Sequence, residues 1–430
     1  MSWSRIAIAC ALVVPCAALS AQRPARPAAT LLIQHVTLLD GNGGAPTANA
    51  DVFVQDGRIA ALAAPANTAA VTTIDGRSLF LLPGLIDAHV HLSGDPWDEA
   101  AATLKRVLQG GVTAVFDVAG DTRLTGDLAR AQLSGEIASP TIYYSALFGG
   151  PAFMTDPRVA ASSIGFRPGA APWDQEIDAN TDLVRAVAAA KGTGATAIKL
   201  YAALDAATVR RIGEEAKRQS IRLIAHATVF PAKPSDLIAA NVKYLAHAAY
   251  LVWEGSPSST DFTKRAHGDF AGVPADGPVM TRVLQSMKDH DVALNPTLWI
   301  LAEGPAKDDP SGLRTAWMNL VTHRAQDLGV TIAAGVDSMT SRADALPMIH
   351  REMEMLVKGA GLTPMQAIVS ATRGAAHAIG VDDARGTVAV GKVADLLIVD
   401  RDPSIDITNT RRIRYVIKDG RVVFTAAPEK

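Results

Sequence analysis

The feature that most constrains this chain is the run Leu82-Pro83-Gly84-Leu85-Ile86-Asp87-Ala88-His89-Val90-His91-Leu92. A continuous apolar stretch ends in two histidines spaced i, i+2. The stretch reads as a short buried strand. Side chains alternate faces along a strand, so His89 and His91 point the same way. Two imidazoles on one face at a strand end can grip one metal ion. Taken alone, the same pair can equally fill a polar gap in an ordinary strand.

Residues 84–380 repeat the theme. Strand candidates fall at 85–91, 112–118, 141–147, 197–201, 222–227, 243–248, 293–298 and 331–337. Alanine-rich amphipathic helices separate most of them, as at 97–108, 181–191 and 206–219. Strand–helix alternation implies a parallel sheet. Eight units over this length fit an α/β fold of the (β/α)8 TIM-like barrel type. An open doubly wound sheet is the alternative, but no Gly-x-Gly-x-x-Gly follows a strand. Residues 251–277, rich in Gly, Ser, Pro and Asp, predict a long loop over the site.

The chain ends have a different pattern. Short apolar runs alternate with turns over 31–83, and again over 381–430. Both halves contain Asp-Gly-Arg, at 56–58 and 419–421, a hairpin signal. A composite β-sandwich built from 31–83 and 381–430 is predicted, with the barrel as one insertion. Before it, Arg5 precedes an apolar run at 6–19 and then Ser20-Ala21. Residues 1–21 are therefore expected to be an export signal followed by a linker at 22–30, which predicts a periplasmic or secreted protein. Both cysteines, Cys10 and Cys16, lie in that leader. The mature chain would have no disulfide, and any metal site must use histidine, carboxylate or lysine. No later stretch is long and apolar enough to span a membrane. The formal net charge of -2 and the lack of a basic run exclude a nucleic-acid partner. A small-molecule substrate is expected, and homo-oligomerisation is left open.

Barrel enzymes place their chemistry at the C-terminal strand ends. Reading the last polar residue of each strand gives His89 and His91, then Lys199, His226, His247 and Asp337. Each interrupts an apolar run, where an ionisable group is costly unless paired or coordinated. Singly, each has a structural explanation. Jointly, six such groups on one predicted face point to a metal centre. His35, His267, His290, His323 and His377 lack that context and are read as structural.

With these residues in place, the chain resembles the metal-dependent amidohydrolase superfamily, in its imidazolonepropionase-like and Xaa-Pro dipeptidase-like branch. The resemblance rests on the opening Pro-Gly-Leu-Ile-Asp-Ala-His-Val-His-Leu, Gly110-Gly111-Val112-Thr113, Ala197-Ile198-Lys199-Leu200-Tyr201, the two later histidines, Ala334-Gly335-Val336-Asp337, and Gly391-Lys392-Val393-Ala394-Asp395-Leu396. It implies two divalent ions, zinc by default, and a lysine carboxylated on its ε-nitrogen. His89, His91 and Asp337 would hold one ion and His226 and His247 the other. Carboxylated Lys199 and a hydroxide would bridge them, with Asp337 shuttling a proton. A neutral lysine amine can add CO2 and become an anionic oxygen ligand.

Deaminase relatives carry a glutamate three residues after the strand-five histidine, where this chain has Val229. The expected reaction is hydrolysis of a dipeptide or N-acyl amino acid amide. The alternatives are an esterase, lactonase or carbamate hydrolase on the same site, or a metal-binding homologue without turnover. Dipeptidase relatives often carry Glu-His near strand six, and here Ala246 precedes His247. Tyr201 and His350 are candidate substrate contacts. Their plain alternatives are packing over strand four and an exposed helix histidine.

Overall fold

The computed structural model describes residues 30–64, 72–92, 94–338 and 344–426. The expected leader 1–21 lies outside the described residues, as does the linker up to residue 29. Thr30 opens the first strand.

Seven parallel strands form a nearly closed barrel in chain order: Leu85–Val90, Val112–Asp117, Thr141–Gly149, Ala197–Leu200, Arg222–His226, Tyr244–Ala246 and Ala293–Asn295. These are barrel strands one to seven. The helices between them pack an apolar stripe on the outer face. Helix Ala206–Arg218 buries Val209, Ile212 and Ala216 at three- and four-residue spacing. It starts where the Asp205 carboxylate accepts the Thr208 N–H at 2.7 Å. Helix Trp97–Gln109 buries Leu104, Val107 and Leu108 in the same way.

The predicted eighth strand, 331–337, is corrected here: it is not a regular strand. Ile332 makes a single parallel bridge to Leu294 of strand seven. Beyond it, the Ala88 N–H donates to the Ala334 carbonyl at 3.0 Å, and the Asp337 N–H to the His89 carbonyl at 2.8 Å. The segment thus closes the barrel by single backbone bonds. Two features stop it from forming a ladder. Gly335 passes so near strand one that a Cβ there would lie 2.7 Å from the His89 nitrogen. Asp337 has φ of 55°, outside the extended region that pairing requires.

The barrel lumen is filled by Ile86, Ala88, Phe116, Ala197, Ile224, Tyr244 and Ala293, among others. Period-two alternation turns every second residue of a strand to the same face. Lys199 comes two residues after Ala197, His226 two after Ile224, and Asn295 two after Ala293. All three therefore enter the lumen at its C-terminal end.

The chain ends form a separate, largely antiparallel eight-stranded sheet that wraps into a sandwich-like unit. Leu396–Val399 lies antiparallel to Phe80–Pro83 and joins the two ends. Both Asp-Gly pairs turn hairpins through positive φ: 52° and 79° at Asp56-Gly57, 49° and 75° at Asp419-Gly420. The two turns touch, since a Cβ on Gly420 would lie 2.8 Å from the Gly57 Cα. Buried Asp395 accepts from Lys418 at 3.2 Å and from Arg385, which ties the sheet to the residues leaving the barrel.

After strand three the chain makes an excursion that the sequence did not announce. It holds a 3-10 turn, Pro151–Thr155, a short helix, Pro157–Ser162, and strands Ala170–Ala171 and Asp174–Glu176. Asp174–Glu176 pairs in parallel with the end of strand three. The buried Asp174 carboxylate accepts from the Ser162 and Ser163 hydroxyls, fixing the helix beside the barrel mouth.

Candidate active site

The barrel mouth opens into a cavity of about 900 Å³, with His91, His226, His247 and Asp337 in its lining. Four imidazoles stand in a row across it. Ring centroids lie 5.5 Å apart for His91 and His89, 5.2 Å for His89 and His247, and 5.0 Å for His247 and His226. Each ring is held by its Nδ1. His89 Nδ1 meets Asn295 Oδ1 at 2.8 Å, and the Asn295 amide nitrogen donates to the Ala333 carbonyl at 2.9 Å. His91 Nδ1 donates to the Ala119 carbonyl at 3.2 Å and His226 Nδ1 to the Tyr201 carbonyl at 2.8 Å. His247 Nδ1 donates to Thr297 Oγ1 at 2.8 Å, whose own proton goes to the Pro296 carbonyl. With Nδ1 taken four times, Nε2 is the atom each ring presents to the site.

Asp337 sits at the centre of this row. Its Oδ1 lies 2.9 Å from His89 Nε2 and 3.0 Å from His91 Nε2, while Oδ2 is 4.0 Å from His247 Nδ1. Among the described residues, the ligand atoms of His89, His91 and Asp337 converge within 4.8 Å. Burial works to raise the Asp337 carboxyl, but His89 and His247 overcome it and hold the group well below the usual carboxylate range. Burial also pushes His226 and His247 well below the ordinary histidine value, so both present neutral lone pairs.

Lys199 is fully buried, and its Nζ has no hydrogen-bond partner. Burial brings its amine down to about 7, against the pull of Asp337. An orphaned amine between imidazoles and a carboxylate is costly to bury. It fits a site that takes an added group on this nitrogen. The donor set of imidazole nitrogens and carboxylate oxygen fits first-row divalent metals.

Strained backbone supports the same region. His247, Thr297 and Asp337 have φ of 71°, 50° and 55°. Non-glycine residues keep such angles only where the surroundings over-determine them. A buried carboxylate does part of that work: Glu352 accepts the N–H groups of Leu298 and Trp299 at 2.9 and 2.7 Å, next to Thr297. Asp87 accepts from Val336 at 3.2 Å and holds the segment that carries Asp337.

The two expected substrate contacts part ways. Tyr201 lines the cavity, stacked on Phe153 at 4.6 Å and edge-on to His226 at 4.2 Å. His350 is neither in the cavity nor exposed. It is 1% exposed, in helix Ile349–Lys358, and its ring meets Thr410 Oγ1 and the Gly110 carbonyl, each at 2.9 Å. The expected loop 251–277 is partly ordered into 3-10 turns, and it brings Phe262 and Arg265 to the site. The unannounced excursion after strand three adds Phe153, Arg158, Val159 and Ile164 to the lining, with Phe153 5.7 Å from the Phe262 ring. Asn295 and Thr297, which orient two of the imidazoles, were not singled out in the sequence. The signal for Asn295 was its place two residues after an inward-facing alanine.

A parallel barrel whose polar strand ends gather imidazoles, a carboxylate and a buried lysine defines a hydrolase centre of the metal-supported kind. The Amidohydrolase family model matches residues 80–423, and the chain belongs to that family. It is a hydrolase acting on amide bonds. Ochratoxinase from Aspergillus niger is 25% identical over 451 residues, covering 92% of this chain and 87% of that protein. The crystal structure of A. niger ochratoxinase superposes with a TM-score of 0.72 at 23% identity, over 93% of this chain and 96% of that one. A Xaa-Pro dipeptidase with bound methionine in its active site gives 0.71 at 20% identity, over 93% and 100%. Among the described residues no helix is long and apolar enough to cross a membrane.

Proposed function

We propose that this chain is an exported, binuclear metal-dependent hydrolase that cleaves the amide of an N-acyl amino acid or dipeptide. One observation carries the reading. Four imidazoles with Nδ1 occupied, one low-pKa carboxylate and one partnerless buried amine share a single barrel mouth. His89, His91 and Asp337 form one ligand group, and His226 and His247 the other, with Lys199 between them. Divalent ions held there, zinc by default, would lower the pKa of a shared water and polarise the scissile carbonyl.

The chain's own groups supply the rest. Near pH 7 a large fraction of Lys199 is the free amine, because burial has brought it to about 7. That amine attacks CO2, a new N–C bond forms as one C–O π bond opens onto oxygen, and one nitrogen proton leaves, so the neutral amine becomes an anionic oxygen donor. Asp337 Oδ1 is committed to His89 and His91, which leaves Oδ2 as the freer oxygen. Oδ2 takes the proton lost by the attacking water and delivers it to the departing nitrogen. An amide needs this second transfer, since an amide anion is a poor leaving group. Both named relatives fit the reading: ochratoxinase, and a dipeptidase whose site holds methionine. Export is inferred from the leader at 1–21 alone.

The test is elemental analysis of active protein, followed by a library of N-acyl amino acids, dipeptides, lactones and carbamates. Two ions per chain with amide turnover are expected. Lys199→Ala should lose both ions and turnover, with partial recovery by short carboxylic acids. One ion or none in active enzyme overturns the binuclear reading. Turnover confined to esters overturns the amide reading.

A further inference from the structure

Among the described residues two arginines line the cavity, Arg158 and Arg265, and they differ in what already holds them. Arg158 is paired with Asp156 through two bonds, 2.9 Å from Nε and 2.6 Å from Nη2, and gives its remaining nitrogen to the Tyr201 hydroxyl at 2.8 Å. Its charge is neutralised by Asp156, and each of its three nitrogens already donates once. Arg265 has no such partner. Among the described residues its guanidinium meets only the Phe262 carbonyl at 3.2 Å, the Phe262 ring face at 4.3 Å and the neighbouring Tyr250 hydroxyl. Among those residues no carboxylate pairs with it. A half-buried guanidinium over an aromatic face, with unspent donors aimed at a cavity, is built to receive a planar anion.

Its support is rigid. The buried Trp253 donates its indole N–H to the Arg265 carbonyl at 2.8 Å. Tyr250 is 4% exposed and lies in the 3-10 turn Ala248–Glu254 that directly follows His247. Its N–H donates to the His247 carbonyl at 2.9 Å, and its ring sits 4.6 Å from the His247 ring. Phe262 stacks on His226 at 5.5 Å. Arg265 is therefore one aromatic ring away from the His226–His247 half of the centre. The cavity lining also holds apolar side chains, among them Leu124, Val159 and Ile164. An N-acyl amino acid with its amide at the centre carries its carboxylate within a few bonds of the scissile nitrogen, on the scale of the one-ring separation from Arg265.

We propose that Arg265 anchors a carboxylate on the leaving-group side of the substrate, and so selects N-acyl α-amino acids over neutral amides. This rests on the amide-hydrolase reading above. The anchor is preorganised by Trp253 and Phe262, so little conformational freedom is lost on binding. Tyr250 offers a second donor to the same anion.

The test compares N-benzoyl-L-phenylalanine with its primary carboxamide, following benzoate release by zinc-reconstituted protein. Wild type should favour the free acid at least tenfold in kcat/KM, mainly through KM. Arg265→Met should cost about 10–100-fold on the acid, the range for losing a charged hydrogen-bonded pair. Its penalty on the carboxamide should be at least tenfold smaller. Arg265→Lys should recover part of the acid preference. Equal losses on both compounds, or no loss on either, overturn the proposal. If wild type hydrolyses neither compound, the amide reading falls for this class, and calorimetric binding of the same two compounds decides Arg265. Tighter binding of the acid, equalised in Arg265→Met, supports the anchor. Equal binding by wild type overturns it.

Discussion

At the scale of single residues, the ligand candidates were readable because each breaks an apolar run with a group that apolar surroundings penalise. What orients them was not. Asn295 and Thr297 close a strand that ends in an ordinary turn-like Asn-Pro-Thr, and beyond the inward register of Asn295 nothing local marks either residue as a partner of a histidine 206 or 50 positions away. Their role predicts a specific cost. Asn295→Leu removes the acceptor of the His89 Nδ1 proton, so the ring can adopt the other tautomer and turn its N–H toward the metal. Metal affinity should fall by about 10–100-fold, the usual range for such an orienting partner. Competition with a chromogenic chelator measures it, and unchanged affinity would show that packing alone aligns His89. Asp337→Asn tests the proton shuttle. At matched metal content, turnover of an amide should fall by about 10²–10⁴-fold more than that of an activated ester, whose leaving group needs no proton. Equal losses on the two substrates would leave Asp337 as a ligand only.

At the scale of elements, seven of the eight expected barrel strands formed where hydrophobic pattern and flanking turns put them, with ends shifted by a few residues. The eighth failed as a strand, because a hydrophobic pattern cannot report backbone crowding. Ala333-Ala334-Gly335-Val336 reads as a strand, yet Gly335 lies against strand one and Asp337 turns out of the extended region. The excursion over 150–177 was missed for the opposite reason. Its helix and strands are too short for any periodicity to emerge, and its order comes from the Asp174 contacts and from Arg123 over the Trp173 ring at 4.6 Å. The crowding at Gly335 makes a prediction about that closing segment. In Gly335→Ala the added methyl meets the His89 nitrogen at 2.7 Å and Cβ at 2.8 Å, and the Asn295 amide at 2.9 Å. Backbone cannot yield as a long side chain can, so His89, Asn295 and Asp337 must separate. Metal content should drop by at least half while the far-ultraviolet dichroism stays near wild type. Full metal loading in Gly335→Ala would show that the segment has slack.

At the scale of the whole molecule, His350 links parts that the sequence could not bring together. Its helix belongs to the barrel, its Nε2 reaches the Gly110 carbonyl before strand two, and its Nδ1 reaches Thr410 in the 3-10 turn Ile407–Arg411 of the C-terminal region. Read along the chain, Met348-Ile349-His350-Arg351-Glu352 is an ordinary amphipathic start. Burial of His350 exists only once residues 110, 350 and 410 have met. That burial brings the imidazole from about 6.5 down to about 4, mainly by desolvation of its charged form. The folded pKa lies below the unfolded one, so the unfolded chain binds the extra proton first. The stability that comes from holding a neutral ring is fully present above about pH 6.5 and is lost as pH falls toward 4. A shift of this size corresponds to about 3 kcal/mol across that window. His350→Gln can keep a donor for Gly110 and does not titrate. It should be less stable than wild type at pH 7, through weaker packing, while losing less on acidification. Metal ligands titrate in the same range, so the informative quantity is the difference in slope between the two proteins. Urea midpoints at pH 7.0, 5.5 and 4.5, with metal content matched, should converge for variant and wild type as the pH drops. Parallel lines would mean that His350 is protonated in the folded protein, with Thr410 and Gly110 accepting from an imidazolium, and that the junction between barrel and end sheet carries a buried charge.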